Sequence, residues 1–209
     1  MNKLKVPVLF LLIAVLVSVS PAAIITNVDR MYGQSGNRAP IGEFDGNTDP
    51  LMGTLTVGEY VYSDREFVWV DVPAALAGSE LIRTFNNDKA GSEIFVQYVV
   101  TIGERAVIGI AADDRIPGSW GEAPSQQAAV DLVVQSWAAP GTFTDSGMKV
   151  HISEANGPVF SVYTAELDAG TYVFGLQPSN LNFYSIIAIP EPATLLLLGL
   201  GGLLLRKRS

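Results

Sequence analysis

The sequence has no cysteine and a single histidine, His151, and both shortages restrict its chemistry. Without cysteine the chain has no disulfide, no thiol nucleophile and no cysteine-ligated metal. One histidine excludes any site that takes two histidine ligands from one chain. His151 lies in a strand-like stretch, and no G-x-S-x-G motif accompanies it, so we predict a half-exposed histidine without a catalytic role.

Basic residues are also scarce, with 13 lysines and arginines against 21 aspartates and glutamates. Residues 23–189 hold 8 of the basic and 20 of the acidic residues, which gives a net charge of 8 − 20 = −12. Such a charge repels nucleic acid and anionic lipid, and we predict no nucleic-acid partner. The acidity suits a soluble extracellular protein, and solubility alone explains it equally well.

Motifs for nucleotides and zinc are missing, since the sequence has no Walker loop, dinucleotide fingerprint or zinc pattern. Asp45, Asn47 and Asp49 alternate as in a calcium loop, but Pro50 and Thr56 stand where an EF-hand has glycine and glutamate. An Asx-rich turn is therefore the favoured interpretation, and calcium stays the alternative. We predict no other cofactor and no metal site.

Residues 1–22 have the layout of a secretory signal peptide. Two lysines precede an uncharged apolar run from Val6 to Val17, and Ser20 and Ala22 are the small residues at −3 and −1 of a cut before Ala23. This predicts export through the secretory translocon and cleavage between Ala22 and Ala23. The alternative is an uncleaved anchor, but the run is shorter than the roughly 20 residues of a spanning helix.

The C-terminal segment, residues 190–209, combines a triplet, an apolar run and a basic cluster. In order, these are Pro190-Glu191-Pro192, Ala193 to Leu205, and Arg206-Lys207-Arg208. A helix over 193–205 rises about 20 Å, against about 30 Å of hydrocarbon, so it is a marginal transmembrane helix. The basic cluster stays cytoplasmic by the positive-inside rule, which places the body of the protein outside the inner membrane.

These tail residues resemble the PEP-CTERM sorting signal of Gram-negative bacteria. The resemblance implies that an exosortase, a membrane-embedded cysteine transpeptidase, recognises Pro190, Glu191 and Pro192 and removes the tail. It also implies delivery of the body to the cell surface or the exopolysaccharide matrix. An ordinary short tail anchor is the alternative interpretation.

Residues 23–189 are long enough for one domain with a sizeable core. We predict a loop-rich start over 23–53, then nine short strands separated by turn residues. The strands are Thr54 to Tyr62, Glu66 to Val72, Glu93 to Ile102, Arg105 to Ala111, Leu132 to Trp137, Met148 to Ser153, Pro158 to Thr164, Thr171 to Leu176 and Asn182 to Ile189. This pattern predicts an all-β fold, an antiparallel β-sandwich or jelly roll. Only Ser125 to Val134 has a pattern that also fits one or two helical turns.

Turn residues and tryptophans add detail to this prediction. Gly103-Glu104 and Gly170 are each expected to close a tight hairpin between consecutive strands. Trp69 and Trp137 lie within strand patterns and are expected in the core.

The central region also resembles a secreted β-sandwich module found beside carbohydrate-active domains. The resemblance covers roughly Tyr60 to Ile189 and departs from the module over Ile116 to Asp131. The matching residues are Asp64-Arg65, Leu81-Ile82-Arg83-Thr84, Asn87-Asp88-Lys89, Asp113-Asp114-Arg115 with Trp120, and Phe160-Ser161-Val162-Tyr163. By association it implies binding to polysaccharide or to a surface, with exopolysaccharide as a candidate partner.

A ligand-binding rim is the main functional hypothesis, because loops at one end of a β-sandwich cluster and carry binding. Its candidate residues are Asn87, Asp88, Asp113, Asp114, Arg115 and Trp120. Polar side chains would bond sugar hydroxyls, and Trp120 would stack on a sugar or else plug the sandwich edge. Side-chain to backbone bonds in turns explain the same residues without a ligand. The alternative function is a glycosidase or lyase that uses a carboxylate pair including Asp113 or Asp114.

Overall fold

The computed structural model describes residues 23–32, 39–40, 51–88, 96–116, 123–175 and 184–190. Strands dominate these residues, and one α-helix, α1 (Gln126–Val134), interrupts them. The strands are β1 (Ile25–Tyr32), β2 (Ala39–Pro40), β3 (Leu51–Thr54), β4 (Trp69–Asp71), β5 (Glu80–Arg83), β6 (Val96–Ile102), β7 (Ala106–Asp113), β8 (Thr144–Ile152), β9 (Val159–Leu167), β10 (Gly170–Phe174) and β11 (Ser185–Ile189).

These strands form two sheets. The smaller sheet has the order β10-β6-β1-β2, and the larger has the order β3-β5-β11-β7-β9-β8-β4. All pairings between the described strands are antiparallel. One apolar core contains buried residues from both sheets. The predicted all-β antiparallel sandwich is therefore confirmed.

Aromatic side chains join the two sheets through this core. Tyr98 of β6 meets Tyr184, which precedes β11, edge to face at 6.4 Å between ring centroids. Trp69 is fully buried on β4, as predicted, and packs edge to face on Phe160 at 6.1 Å. Trp137 is only partly buried and lies in a turn after α1 rather than in a strand.

The strand predicted over 132–137 is wrong, because α1 occupies its first half and a turn occupies its second half. Ser125 caps the helix and accepts a hydrogen bond from Ala128 N–H at its Oγ. Val133 and Val134 are buried at the end of α1, which contacts β7 and β10, one strand from each sheet. A short apolar run fits a buried helix end as well as a buried strand, so periodicity does not separate the two.

Both predicted hairpins are also wrong. β6 pairs with β1 and β10, whereas β7 pairs with β11 and β9, so the turn after Ile102 carries the chain from one sheet to the other. The turn between Leu167 and Gly170 does the same, because β9 lies in the larger sheet and β10 in the smaller. Glycine and polar residues form a tight turn in either case, so the turn sequence does not reveal which sheet the next strand joins.

The predicted loop-rich start over 23–53 contains β1, β2 and the first three residues of β3. β1 pairs with β6 from Ile25 to Tyr32 and is an interior strand of the smaller sheet. The sequence of β1 does not indicate an interior strand, because Arg30 occupies an inward position and is only 4% exposed. A charged residue at a core position removes the alternation that marks a half-buried strand.

The charge of Arg30 is neutralised by a buried carboxylate from the turn that follows β5 of the larger sheet. Asp88, in the 3-10 turn that follows β5, accepts two hydrogen bonds from the Arg30 guanidinium, one of them from Nε at 2.7 Å. The Tyr98 hydroxyl donates to the same carboxylate at 2.6 Å, and the guanidinium lies 3.8 Å from the centroid of the Phe85 ring. This cluster ties the two sheets together.

The register of β11 defines two ends of the sandwich. At one end Ala188 pairs with Glu80 and Ile189 with Val107, and the chain leaves the domain at Pro190. We call this end the exit pole. At the other end Thr84 Oγ donates to Tyr184 O, just before β11 begins. We call that end the distal rim, and at about 3.4 Å per residue the length of β7 separates it from the exit pole by more than 20 Å.

Candidate functional site at the distal rim

The two loop segments predicted to form a binding rim meet at the same end of the sandwich. They follow β5 and β7, which both run antiparallel to β11 and therefore parallel to each other. The turn Asn86–Asp88 and the residues after Asp113 thus both lie at the distal rim.

Two of the predicted ligand contacts are buried and unavailable to a ligand. The Asp88 side chain is 4% exposed and binds Arg30 and Tyr98. Asp113 is 0% exposed, and its carboxylate accepts hydrogen bonds from Arg115 N–H at 2.9 Å and from Arg115 Nη2 at 2.5 Å. Their role here is structural, because each carboxylate neutralises an arginine within the fold.

Asp114 and Arg115 are more exposed but are held by neighbouring side chains. Asp114 accepts hydrogen bonds from Gln126 Nε2 at 2.6 Å, Lys149 Nζ at 2.6 Å and Ser161 N–H at 2.9 Å. Burial raises the pKa of Asp114, but these hydrogen bonds outweigh burial and leave the pKa below its ordinary value. Arg115 also pairs with Glu154 at 3.2 Å, and the hydrogen bond to the Asp113 carboxylate is the main cause that raises its pKa.

Several predicted residues lie outside the part of the chain that the structure describes. Among the rim candidates these are Trp120 and the side chain of Asn87. The same holds for the calcium-loop candidates 45–49, for residues 1–22 with the cleavage residue Ala22, and for residues 191–209 with Glu191, Pro192, Arg206, Lys207 and Arg208. Ala23 and Pro190 are described and exposed.

A β-hairpin reaches the distal rim beside these loops. Its arms pair through the Tyr60–Val68 bridge, with hydrogen bonds from Val61 N–H to Phe67 O at 2.9 Å and from Trp69 N–H to Glu59 O at 3.0 Å. The two strands predicted over Thr54 to Tyr62 and Glu66 to Val72 each contain one arm of this hairpin.

The hairpin tip is fastened to the end of β5. Ser63 N–H donates to Thr84 O at 2.9 Å, and Ser63 Oγ donates to Arg83 O at 2.6 Å. One residue further, Asp64 Oδ1 accepts Asn86 N–H at 2.7 Å. These bonds hold the tip at a fixed distance from β5.

An open cavity of about 560 Å³ lies between the hairpin tip and β5. It is lined by Tyr60, Tyr62, Ser63, Asp64, Arg65, Glu66 and Arg83. Sequence analysis did not identify this cavity. Asp64-Arg65 and Arg83 belong to the stretch that resembles the secreted module, and that stretch was the available signal.

The position of Arg83 in the cavity wall depends on Gly53, which leaves space for its guanidinium, and on Glu59, which accepts a hydrogen bond from it. A Cβ at Gly53 would lie 2.5 Å from Arg83 Nε, so the guanidinium occupies space that only glycine leaves open. Arg83 Nη2 donates to Glu59 Oε2 at 2.7 Å, and the guanidinium lies 5.9 Å from the centroid of the Tyr60 ring. Tyr60 remains 48% exposed, so its ring is accessible beside a positioned guanidinium.

The cavity therefore combines an aromatic face, two guanidinium groups and the exposed carboxylate of Glu66, while the Asp64 carboxylate beside them is only 6% exposed. Guanidinium groups donate hydrogen bonds and carboxylates accept them, so together they match hydroxyl groups of either polarity. Burial is the main cause that raises the pKa of Tyr62 well above its ordinary value, with Asp113 adding to it, so its phenol stays neutral.

The described residues contain no group of three or more histidine, cysteine, aspartate or glutamate side chains placed to hold a metal ion.

His151 lies on β8 with a side chain that is 37% exposed, and its Nε2 is 3.9 Å from Asp71 Oδ2. Within the described residues, no helix has the length and apolar character needed to cross a membrane.

Comparison with known protein families finds a match to a PEP-CTERM protein-sorting motif over residues 188–209. The chain carries a PEP-CTERM sorting motif. This motif indicates that the protein is exported, recognised by an exosortase and sorted to the cell surface. The match begins at residue 188, so it overlaps the last two residues of β11.

Two solved structures are similar to this chain, and the first of them supports the fold. A β-glucuronidase from glycoside hydrolase family 2 is similar with a TM-score of 0.50 and 19% identity, over 72% of this chain and 14% of that chain. A glycoside hydrolase family 138 enzyme targeting pectin rhamnogalacturonan II matches with a TM-score of 0.44 and 10% identity, over 68% of this chain and 15% of that chain. This chain thus spans about a seventh of each enzyme. No curated protein matches the sequence.

Proposed function

We propose that this protein is a non-catalytic module of the cell surface or extracellular matrix that binds polysaccharide at its distal rim. Residues 1–22 direct it to the secretory translocon and are removed, and residues 23–189 form the binding domain. Residues 190–209, with a short transmembrane helix over 193–205, hold the domain outside the inner membrane until the exosortase acts. A partner protein is the other ligand class for the rim.

The observation that carries this proposal is the position of the cavity relative to the chain ends. Pro190 leaves the sandwich at the exit pole, next to the start of β5 at Glu80. The cavity lies at the other end of the same strand, beside Arg83. A protein attached or delivered through its C-terminal tail would thus present the cavity away from the membrane.

The chemistry of the cavity favours a hydroxyl-rich ligand. Tyr60 offers an exposed ring for the apolar face of a sugar, as aromatic side chains do at many interfaces. Arg83 and Arg65 donate to hydroxyl oxygens, while the exposed Glu66 accepts from hydroxyl groups. Because both charge signs are present, a neutral polysaccharide suits the cavity better than a strongly anionic one.

The alternative, a carbohydrate-active enzyme that uses Asp113 or Asp114, loses support from the same geometry. Asp113 is fully buried in its bond to Arg115. Asp114 has a lowered pKa, whereas a glycosidase general acid needs a raised one. Neither residue therefore suits the role of acid in a carboxylate pair.

The test is retention of the purified exported protein on exopolysaccharide from its own host. We expect Arg83→Ala and Tyr60→Ala each to weaken retention about tenfold or more, since each loses a charge-assisted bond or a stacking surface. Arg105→Ala is the matched control, because Arg105 is 62% exposed and lies at the exit pole. Trp120→Ala tests the original rim prediction in the same assay. Equal retention for the cavity variants and the control would remove the cavity from the proposal, and no retention of the unaltered protein would remove polysaccharide as the ligand.

A further inference from the structure

Glu80 holds the first residues of the described domain at the exit pole. Its Oε1 accepts Ile24 N–H at 2.7 Å, and its Oε2 accepts Ile25 N–H at 2.8 Å. Both oxygens of one carboxylate thus bind two consecutive backbone amides. Ile25 begins β1 of the smaller sheet and Glu80 begins β5 of the larger sheet, so this contact also joins the sheets.

Among the described residues, no cationic side chain neutralises this carboxylate. Glu80 is half-buried, and no lysine or arginine of the described ranges forms an ion pair with it. Two neutral amides satisfy its lone pairs but do not neutralise its charge. A carboxylate withdrawn from water is stabilised when a positive charge lies next to it.

We propose that Glu80 is the binding site for the mature N-terminus, the α-ammonium group of Ala23. The inference rests on the proposed removal of residues 1–22. Hydrolysis breaks the peptide bond between Ala22 and Ala23 and consumes one water, which leaves a carboxylate on Ala22 and an amine on Ala23. That amine is largely protonated at neutral pH, whereas in the uncut chain the same nitrogen is an uncharged amide.

Geometry places the new charge near the carboxylate. The nitrogens of Ala23 and Ile24 are within about 4 Å of each other. Because Ile24 N lies 2.7 Å from Glu80 Oε1, the nitrogen of Ala23 lies within about 7 Å of that oxygen. An ammonium and a carboxylate at this separation attract each other, most strongly where burial reduces screening. Signal-peptide removal thus creates an ion pair that closes the exit pole, and the precursor has no equivalent of it.

The same contact connects the two ends of the domain. Glu80 pairs in register with Ala188, two residues before Pro190. The ion pair therefore forms next to the strand that carries the sorting motif. N-terminal processing would stabilise the sheet at the point from which the tail departs.

The experiment moves the ammonium group without changing Glu80. Inserting Gly-Ser between Ala22 and Ala23 in the full chain displaces the new N-terminus by two residues, about 7 Å. The exported protein is purified with and without this insertion, each with Glu80 intact and with Glu80→Gln. Glu104→Gln is the matched control, because Glu104 is exposed and lies in the turn between β6 and β7 at the same pole.

We expect the insertion to lower the Tm by about 2–4 °C when Glu80 is intact and by less than about 1 °C in the E80Q protein. In the E104Q protein the insertion should lower the Tm by the same amount as in the protein with Glu80 and Glu104 intact. The mass of each intact protein identifies its first residue. If the proteins without the insertion start at Ala23 and the insertion lowers the Tm equally in all three backgrounds, the Glu80 site alone is overturned. If they start at another residue, the cleavage site is overturned together with the Glu80 site. If E80Q does not fold, an unchanged Tm on insertion into the unaltered protein overturns the proposal.

Discussion

Replacement of Asp88 by alanine is the most direct test of how the two sheets are held together. The Arg30 and Asp88 side chains are 1% and 4% exposed, so the change leaves a buried guanidinium without its carboxylate. The Tyr98 hydroxyl loses its acceptor in the same substitution. Burial is the main cause that raises the pKa of Asp88, while hydrogen bonds from Arg30 and Tyr98 act in the opposite direction.

The expected loss of stability follows from this burial. Breaking a buried ion pair by removing one partner costs about 3–5 kcal/mol, because the remaining charge is uncompensated. For a domain of this size each 1 kcal/mol lowers the Tm by about 2–4 °C, so Asp88→Ala should lower it by roughly 6–20 °C. Removing both charges, with Arg30→Met and Asp88→Leu together, should recover most of the loss, since apolar replacements of buried pairs are often neutral.

Urea denaturation of the purified proteins measures these differences. Glu166→Ala is the control, because it removes an exposed ion pair with Arg105 and should cost less than about 1 kcal/mol. If Asp88→Ala is no more destabilising than Glu166→Ala, the cluster does not hold the sheets together. A double variant that is less stable than Asp88→Ala would show that packing, rather than charge, dominates at this position.

Two further predictions concern the distal rim. Gly53→Ala displaces the Arg83 guanidinium, because the added methyl group would collide with it. This variant should weaken polysaccharide retention about tenfold while lowering the Tm by less than about 3 °C. Unchanged retention would mean that binding does not need the observed position of the guanidinium. Asp114→Asn should reduce the sensitivity of the fold to acid, measured by urea denaturation between pH 6 and pH 3. Because the folded pKa of Asp114 lies below its unfolded value of about 3.9, its stabilisation is complete well above that pH and is lost as the pH falls through it towards the folded pKa. Identical acid profiles for the two proteins would contradict this assignment.

Sequence patterns predicted the fold class because the long strands have clear signals. β7 and β9 are eight and nine residues long and rich in apolar and β-branched residues, and both lie close to their predicted positions. β5 was missed because its four residues, Glu80–Arg83, are too few to show a period. β1 was missed because Arg30 replaces the apolar residue expected at an inward position.

The candidate site was only partly predictable, and for a different reason. The direction of β5 and β7 brings the two predicted rim segments to one end, as the sandwich hypothesis required. The cavity itself joins the hairpin tip to Arg83, which is distant in sequence, and no local pattern records that contact. Sequence also does not distinguish a carboxylate that faces solvent from one that neutralises a buried arginine, which is why Asp88 and Asp113 were assigned to the ligand.

The arrangement of β11 links the fold to the proposed sorting. β11 lies between β5 and β7 inside the larger sheet, and the sorting motif begins at residue 188, before the strand ends at Ile189. The domain and the motif are therefore contiguous, with no spacer between them. Cleavage before Ile189 would remove ladder hydrogen bonds from an interior strand, so a cut that preserves the domain must fall after it. With the tail held in the membrane as proposed, the exit pole would lie close to the membrane and the cavity would face outward, which is the orientation that binding to an external polysaccharide requires.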